Sequence, residues 1–142
     1  MDQETFDSDI ADFCHSVGLL VRHLRAANTA HDLSLTQAAV MARLDRSGPM
    51  TISDLARVEG IKPQSMGALI AEMNEEGLVE RKPHPTDGRQ VNIVLTARGA
   101  TVRKSSKDAK RAWLSRAIAQ LEESDRQTLF ASGEIIKRLV DL

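Results

Sequence analysis

Between Thr51 and Leu95 a helix-turn-helix pattern runs straight into a β-hairpin, and few folds accept that order. Thr51-Ile52-Ser53-Asp54 sets a hydroxyl and a carboxylate three residues apart, the spacing of a capping box, and opens a short helix. Leu55 and Ala56 sit on its inner face, with Ala56 small where two helices cross closely. Gly60 permits a left-handed turn, and Pro63 restarts the chain as the first residue of the next helix. Met66, Leu69, Ile70 and Met73 line one side of that helix, which runs to about Gly77. Leu55, Ile61, Met66 and Leu69 then clamp the two helices together.

The segment that follows, HPTDGRQVNIVLT (His84 to Thr96), reads as a turn and a strand. Val91, Ile93 and Leu95 alternate with Gln90, Asn92 and Val94, and Leu78-Val79-Glu80-Arg81-Lys82 supplies the other strand. At the tip, Asp87 can accept nearby backbone N–H groups and Gly88 permits positive φ. A lone Asp-Gly-Arg is usually a solvated turn. Directly after a helix-turn-helix it is the tip of a wing, placing a basic residue beside a helix that can enter the major groove.

Outside this centre the pattern is helical. Ile10, Phe13, Cys14, Val17, Val21 and Leu24 give a first helix, starting near Asp7 or Ser8, one apolar stripe. A second helix runs from Thr36, as N-cap, to about Ser47, where Gly48 and Pro49 stop it. Thr96 caps a long fifth helix with a stripe of Ala109, Trp113, Ala117 and Leu121. Ser124 and Gln127 have capping-box spacing and open a sixth, with Leu129, Phe130, Ile136 and Val140 on its apolar face. The expected fold is mainly α with a small β-hairpin wing: a winged helix-turn-helix over residues 33–96, flanked by helical regions at 1–32 and 97–142. The outer helices lack an evident partner except each other or a second copy.

Charge narrows the function. Nineteen basic residues stand against twenty acidic ones, so a surface basic all over is excluded. The distribution is uneven: residues 1–12 carry Asp2, Glu4, Asp7, Asp9 and Asp12 and no Lys or Arg. Residues 81–111 carry Arg81, Lys82, Arg89, Arg98, Arg103, Lys104, Lys107, Lys110 and Arg111 against only Asp87 and Asp108. A polyanion site belongs in that stretch. No apolar run reaches the roughly 20 residues of a membrane helix, and the acidic N-terminus is unlike a secretory signal, so a cytoplasmic location is expected. With aromatics at 3%, the core must be aliphatic, with Met.

The sequence resembles the MarR family of winged-helix transcription regulators over nearly its whole length. LSLTQAAVMARL before the motif, GLVERKPHPTDGRQVNIVLTARG through the wing, and the long helices at either end carry the resemblance. Within it, Gly77-Leu78-Val79-Glu80-Arg81, Asp87-Gly88-Arg89 and Leu95-Thr96 with Gly99 are the specific signature. The resemblance implies a homodimer whose first, fifth and sixth helices intertwine. It also implies a fourth helix reading the major groove of double-stranded DNA, with the wing arginine reaching the minor groove or its phosphates.

The residues assigned to DNA are Lys62, Pro63, Gln64, Ser65 and Ala68 on the reading helix, and Arg81, Lys82, His84, Asp87 and Arg89 on the wing. Thr51 and Ser53 at the cap of the third helix complete the set. Asp87 is expected to orient Arg89 or Arg81. Relatives often carry Thr-Arg where this chain has Gly67-Ala68, and Lys62 is the helix's only cation. Affinity should therefore lean on the wing and on Arg81, Lys82, Arg98, Arg103 and Lys104. Because relatives bind small aromatic acids, Leu20, His23, Met41 and Trp113 are candidates for the pocket of a small aromatic or anionic effector.

One branch of the family senses hydroperoxides through a first-helix cysteine steadied by tyrosines. This chain has no Tyr, and Cys14 lies on an apolar stripe, so it reads as a structural thiol. His15, His23, His31 and His84 show no ligand spacing, and neither a metal nor another cofactor is expected. No nucleophile elbow, phosphate loop or ligand cluster suggests an enzyme. The competing reading is a winged-helix protein-interaction module or antirepressor with weak DNA binding.

Overall fold

The computed structural model describes residues 1–27 and 33–141; His31 lies outside them. The chain divides into two units, Asn28–Asp108, and Met1–Ala27 with Ala109–Leu142.

In the first of these, α2 (Leu35–Ser47) begins at Ser34 rather than at Thr36. Ser34 has a glutamine three residues on, and the pair closes a reciprocal capping box: Gln37 N–H to Ser34 Oγ at 3.1 Å, Ser34 N–H to Gln37 Oε1 at 3.0 Å. Thr36 has Ala39 at that spacing, which offers no acceptor. A strand not foreseen, β1 (Met50–Thr51), follows Pro49 and leads into α3 (Ile52–Glu59). Thr51 Oγ1 accepts the Asp54 N–H at 3.1 Å, while the Asp54 carboxylate turns to Arg57 at 3.4 Å. Gly60, at φ 68°, makes the left-handed turn. After it α4 runs over Pro63–Glu75.

Gly77, at φ 75°, ends α4: its N–H reaches Asn74 O, and the Leu78 N–H reaches back to Met73 O at 2.9 Å, closing the helix in a Schellman-type turn. The chain then forms β2 (Val79–Pro83) and β3 (Val91–Leu95). The sheet is antiparallel in the order β1-β3-β2, with Ile93 opposite both Met50 and Arg81. Of the three alternating residues of β3 only Ile93 is fully buried; Val91, nearest the tip, is exposed. Val40, Met41 and Leu44 of α2, Leu55 and Ala56 of α3, and Met66, Ile70 and Met73 of α4 close with Leu78, Val79, Ile93 and Val102 into one aliphatic and methionine core.

Helix α5 (Ala97–Ala119) starts inside this unit. Thr96 Oγ1 accepts the Gly99 N–H at 2.9 Å and its hydroxyl donates to Gly77 O, so one side chain caps α5 and ties it to the end of α4. Gly99, Val102 and Ser106 are buried, and Arg103 Nε lies 3.4 Å from Asp45 on α2. These contacts carry the winged unit to Asp108, beyond residue 97, where the sequence division was drawn.

In the other unit, α1 (Gln3–Ala26) begins earlier than its apolar stripe suggests because the Asp2 carboxylate accepts the Thr5 N–H at 2.8 Å. Helix α6 (Glu123–Val140) has Glu122 at its N-cap, with no side-chain cap. The expected Ser124–Gln127 box does not form. Ser124 is already within the helix, where its carbonyl accepts from Thr128, and Gln127 bonds Glu123 at 3.2 Å. The turn tightens at Gln120 and Leu121, whose carbonyl accepts from Arg126 Nε at 3.0 Å, so Leu121 lies past the end of α5. Neither α1 nor α6 contains a buried residue. Phe6, Ile10, Phe13 (52% exposed), Val17, Phe130 (63%) and Ile136 all face outward. Cys14 is exposed on the same helix as four of them. Among the described residues no helix is long and apolar enough to cross a membrane.

Candidate nucleic-acid interface

The wing tip is built around an imidazole. The Nδ1 of His84 accepts the backbone N–H of Asp87 at 3.1 Å and of Thr86 at 3.3 Å. His84 N–H donates to Gln90 O at 3.1 Å, and Gln90 N–H to Asp87 O at 3.0 Å, closing a four-residue turn over Asp87-Gly88-Arg89-Gln90. Gly88 does not use the positive φ expected of it: among the described residues only Gly48, Gly60 and Gly77 do. The geometry instead comes from side chains, His84 on one limb and Asp87 on the other.

Asp87 Oδ1 accepts both the backbone N–H of Arg89, at 3.1 Å, and its Nε, at 3.3 Å. Of the two arginines considered for Asp87, Arg89 is the partner. Its side chain is nonetheless 93% exposed. A guanidinium oriented from behind and open in front can present its remaining N–H groups to an anion. Beside it is an open cleft of about 480 Å³ lined by Thr51, Ser53, Asp54, Arg89, Gln90 and Val91. The cap of α3 and the wing arginine thus share one concavity. The sequence reading missed Asp54, Gln90 and Val91 there. Only the pairing of β1 with β3, which brings Thr51 opposite Asn92, places them.

Helix α4 with its N-cap presents Lys62, Pro63, Gln64, Ser65 and Ala68 to solvent, with Met66, Ile70 and Met73 on the opposite, buried side. Arg81 is exposed on β2, and Lys82 pairs with Glu80 at 3.6 Å. Arg103 leaves the set of DNA candidates: its side chain is 17% exposed and turned to Asp45. Met41 is fully buried in the winged core. His23 and Trp113 meet in the other unit with ring centroids 5.6 Å apart and planes tilted by 33°, His23 Nδ1 lying 2.9 Å from Leu19 O. Leu20 is exposed on the same helix as His23.

A winged helix-turn-helix with an arginine-tipped wing defines a class of transcription regulators, and comparison with known proteins gives the family. The MarR family model matches residues 33–91. Over 138 residues the chain is 36% identical to the uncharacterized HTH-type transcriptional regulator Mb0904 of Mycobacterium bovis, covering 95% of this chain and 96% of that one. It is 28% identical over 116 residues to the HTH-type transcriptional repressor Rv2887 of Mycobacterium tuberculosis, covering 81% and 84% of the two chains. The fold is similar to that of a Staphylococcus aureus MepR mutant bound to an oligodeoxyribonucleotide, with TM-score 0.68, 17% identity, and coverage of 89% and 94%. The chain belongs to the MarR family and is a transcriptional regulator.

Proposed function

We propose that the protein is a homodimeric repressor that binds a pseudo-palindromic operator in double-stranded DNA and is released by a small aromatic or anionic ligand. The observation that carries the DNA reading is Arg89, oriented by Asp87 yet 93% exposed, opening on the same cleft as the cap of α3. In this reading Lys62, Pro63, Gln64, Ser65 and Ala68 enter the major groove, while Thr51, Ser53, Arg81, Lys82 and Arg89 hold the flanking backbone. His84 and Asp87 shape the wing and aim Arg89. The sequence similarity to a repressor and the similarity of fold to a DNA-bound neighbour support the same role.

Dimerisation is supported by the apolar outer faces of α1 and α6, too extensive for a soluble monomer to leave wet. A two-fold pair of winged units would meet half-sites about one helical turn apart. For the effector, the His23–Trp113 pair with exposed Leu20 offers an aromatic surface to a planar acid. Such a ligand relieves repression only by binding one spacing of the two reading helices more tightly than the other.

One observation favours the reading as a protein-interaction module: beyond Lys62, α4 carries no cation, and Glu72 and Glu75 are exposed. Titrating duplex DNA at increasing salt decides between them. A repressor making six or more phosphate contacts loses about a thousandfold in affinity between 50 and 200 mM salt. Absence of duplex binding at low salt would overturn the DNA reading.

A further inference from the structure

We propose that α4 selects its operator half-site by adenine–thymine pairs, with Gln64 reading adenine and Ala68 contacting the thymine methyl; this rests on the DNA-binding reading above. Gln64, Gly67, Ala68 and Ala71 fall at i, i+3, i+4 and i+7, one face of the helix. That face lies away from Met66, Ile70 and Met73, which are wholly buried. A side chain added at Gly67 would meet no atom within 4 Å. Past Gln64 the face therefore consists of two methyl groups and a bare backbone, so the helix can approach the groove floor closely.

The donors and acceptors on this face exclude some bases and fit others. Guanine shows two acceptors, N7 and O6, to the major groove, and is matched by the paired donors of Arg or the ammonium of Lys. From Pro63 to Glu75 the helix has neither; its one cation, Lys62, stands at the N-cap, outside the i, i+3, i+4, i+7 set of Gln64, Gly67, Ala68 and Ala71. Adenine shows one acceptor, N7, beside one donor, the N6 amino group, and a carboxamide offers the complementary pair. Gln64 is the exposed carboxamide in the first turn, the part of a recognition helix that reaches base edges. Ala68, one turn on, can form no side-chain hydrogen bond, and its methyl matches the C5-methyl of thymine. Glu72, a further turn on and exposed, only accepts, so it is repelled by guanine N7 and O6 and by phosphate, and can take a hydrogen bond only from an exocyclic amino group, adenine N6 or cytosine N4.

The test begins with the full-length protein and selection from a random duplex library. The enriched half-site is expected to place A·T pairs at adjacent major-groove positions. In a synthetic operator of that sequence, replacing the contacted adenine with 7-deazaadenine, which removes only N7, should weaken binding about tenfold. Gln64→Ala should weaken it by a similar factor and be indifferent to the deaza base. Replacing the contacted thymine with uracil, which removes only the methyl, should cost a few-fold. Gln64 is exposed and alanine favours helix, so the variant is expected to fold. Enrichment of G·C pairs at these positions, or indifference of the wild type to both analogues, would overturn the proposal while leaving DNA binding intact. Failure to enrich any duplex would sink the DNA-binding reading and this inference with it.

Discussion

Gly99, in the first turn of α5, packs directly on the backbone carbonyl of Leu78: a Cβ at position 99 would fall well inside the contact distance of that oxygen and 3.3 Å from Leu95 Cδ2. Leu78 O also accepts the Thr96 N–H, at 3.1 Å, and Thr96 bonds both Gly77 O and the Gly99 N–H. The residues Gly77, Leu78, Thr96 and Gly99, scattered along the sequence signature, thus form one joint that locks the end of α4 to the start of α5. Backbone cannot move aside as a side-chain tip can. Gly99→Ala should therefore destabilise the fold by about 1–3 kcal/mol despite alanine's better helix propensity. Gly67→Ala, where a Cβ meets open space, should stabilise by up to about 1 kcal/mol. Urea denaturation of the two variants checks the contrast, and a Gly99→Ala protein as stable as wild type would show the joint to be soft.

Arg89→Ala should weaken operator binding about tenfold and lower the salt slope by about one, the signature of a lost phosphate or minor-groove contact. Its partner behaves differently. Arg89 is 93% exposed, so the ion pair itself is screened, but Asp87 is 33% exposed and also accepts the Arg89 backbone N–H, so Asp87→Ala should cost about 1 kcal/mol or less, confined to the wing turn. The freed guanidinium then binds at an ordering cost, and affinity falls less than for Arg89→Ala. Binding isotherms at several salt concentrations separate the two; equal losses would mean that Asp87 contributes by itself.

The place of His84 in the wing suggests a DNA contact, yet its Nδ1 is occupied by two backbone N–H groups of the turn. His84→Ala leaves those groups to water. Amide hydrogen exchange at Thr86 and Asp87 should quicken, and operator affinity should drop several-fold through a looser wing. The core, whose last residue toward the tip on β3 is Ile93, should keep its unfolding midpoint. Unchanged exchange at both amides would remove the role given to the imidazole.

The contrast between His84 and Gly60 explains how much could be read in advance. Helix ends are local: Thr51, Gly60, Pro63, Gly77 and, as the cap that takes the Gly99 N–H, Thr96 act within a few residues of themselves, so the helix-turn-helix and the start of α5 were legible, while the tie from Thr96 to Gly77 was not. The strand β1 was not, because two residues have no periodicity and its existence depends on Ile93 in a distant segment. The cleft depends on that pairing and was lost with it. Arg103 looked like one more cation in a basic stretch because its partner Asp45 lies far away in sequence. Ser124 had capping spacing, but the turn at Gln120–Leu121 started α6 first.

Acid should fray α1 from its first turn. The Thr5 N–H and hydroxyl hold the Asp2 carboxylate below its ordinary value. A depressed native pKa means that the cap stabilises fully above the unfolded value, about 3.9, and that this is lost as pH falls through the lower native one. Asp2→Asn caps without a titrating group, so the protection of amides in that turn, taken relative to the free-peptide exchange rate at each pH, should no longer fall as the solution is acidified. Dependence surviving in Asp2→Asn would assign it to another group.

The apolar faces of α1 and α6 lead to the last expectation. Phe13 and Phe130 are more than half exposed, and the helices carrying them bury none of their own residues. If a second copy covers these faces, burying each phenyl ring contributes about 1.5–3 kcal/mol to association. Phe13→Asp then places a charge in the apolar seam, which should convert the dimer to monomer at micromolar concentration in sedimentation equilibrium. Operator affinity should collapse with it, because one winged unit reaches one half-site only. The wild-type unfolding midpoint should rise with protein concentration, while that of the variant should not. A wild-type chain that sediments as a monomer throughout would leave these faces for a different partner and remove the two-fold operator from the proposal.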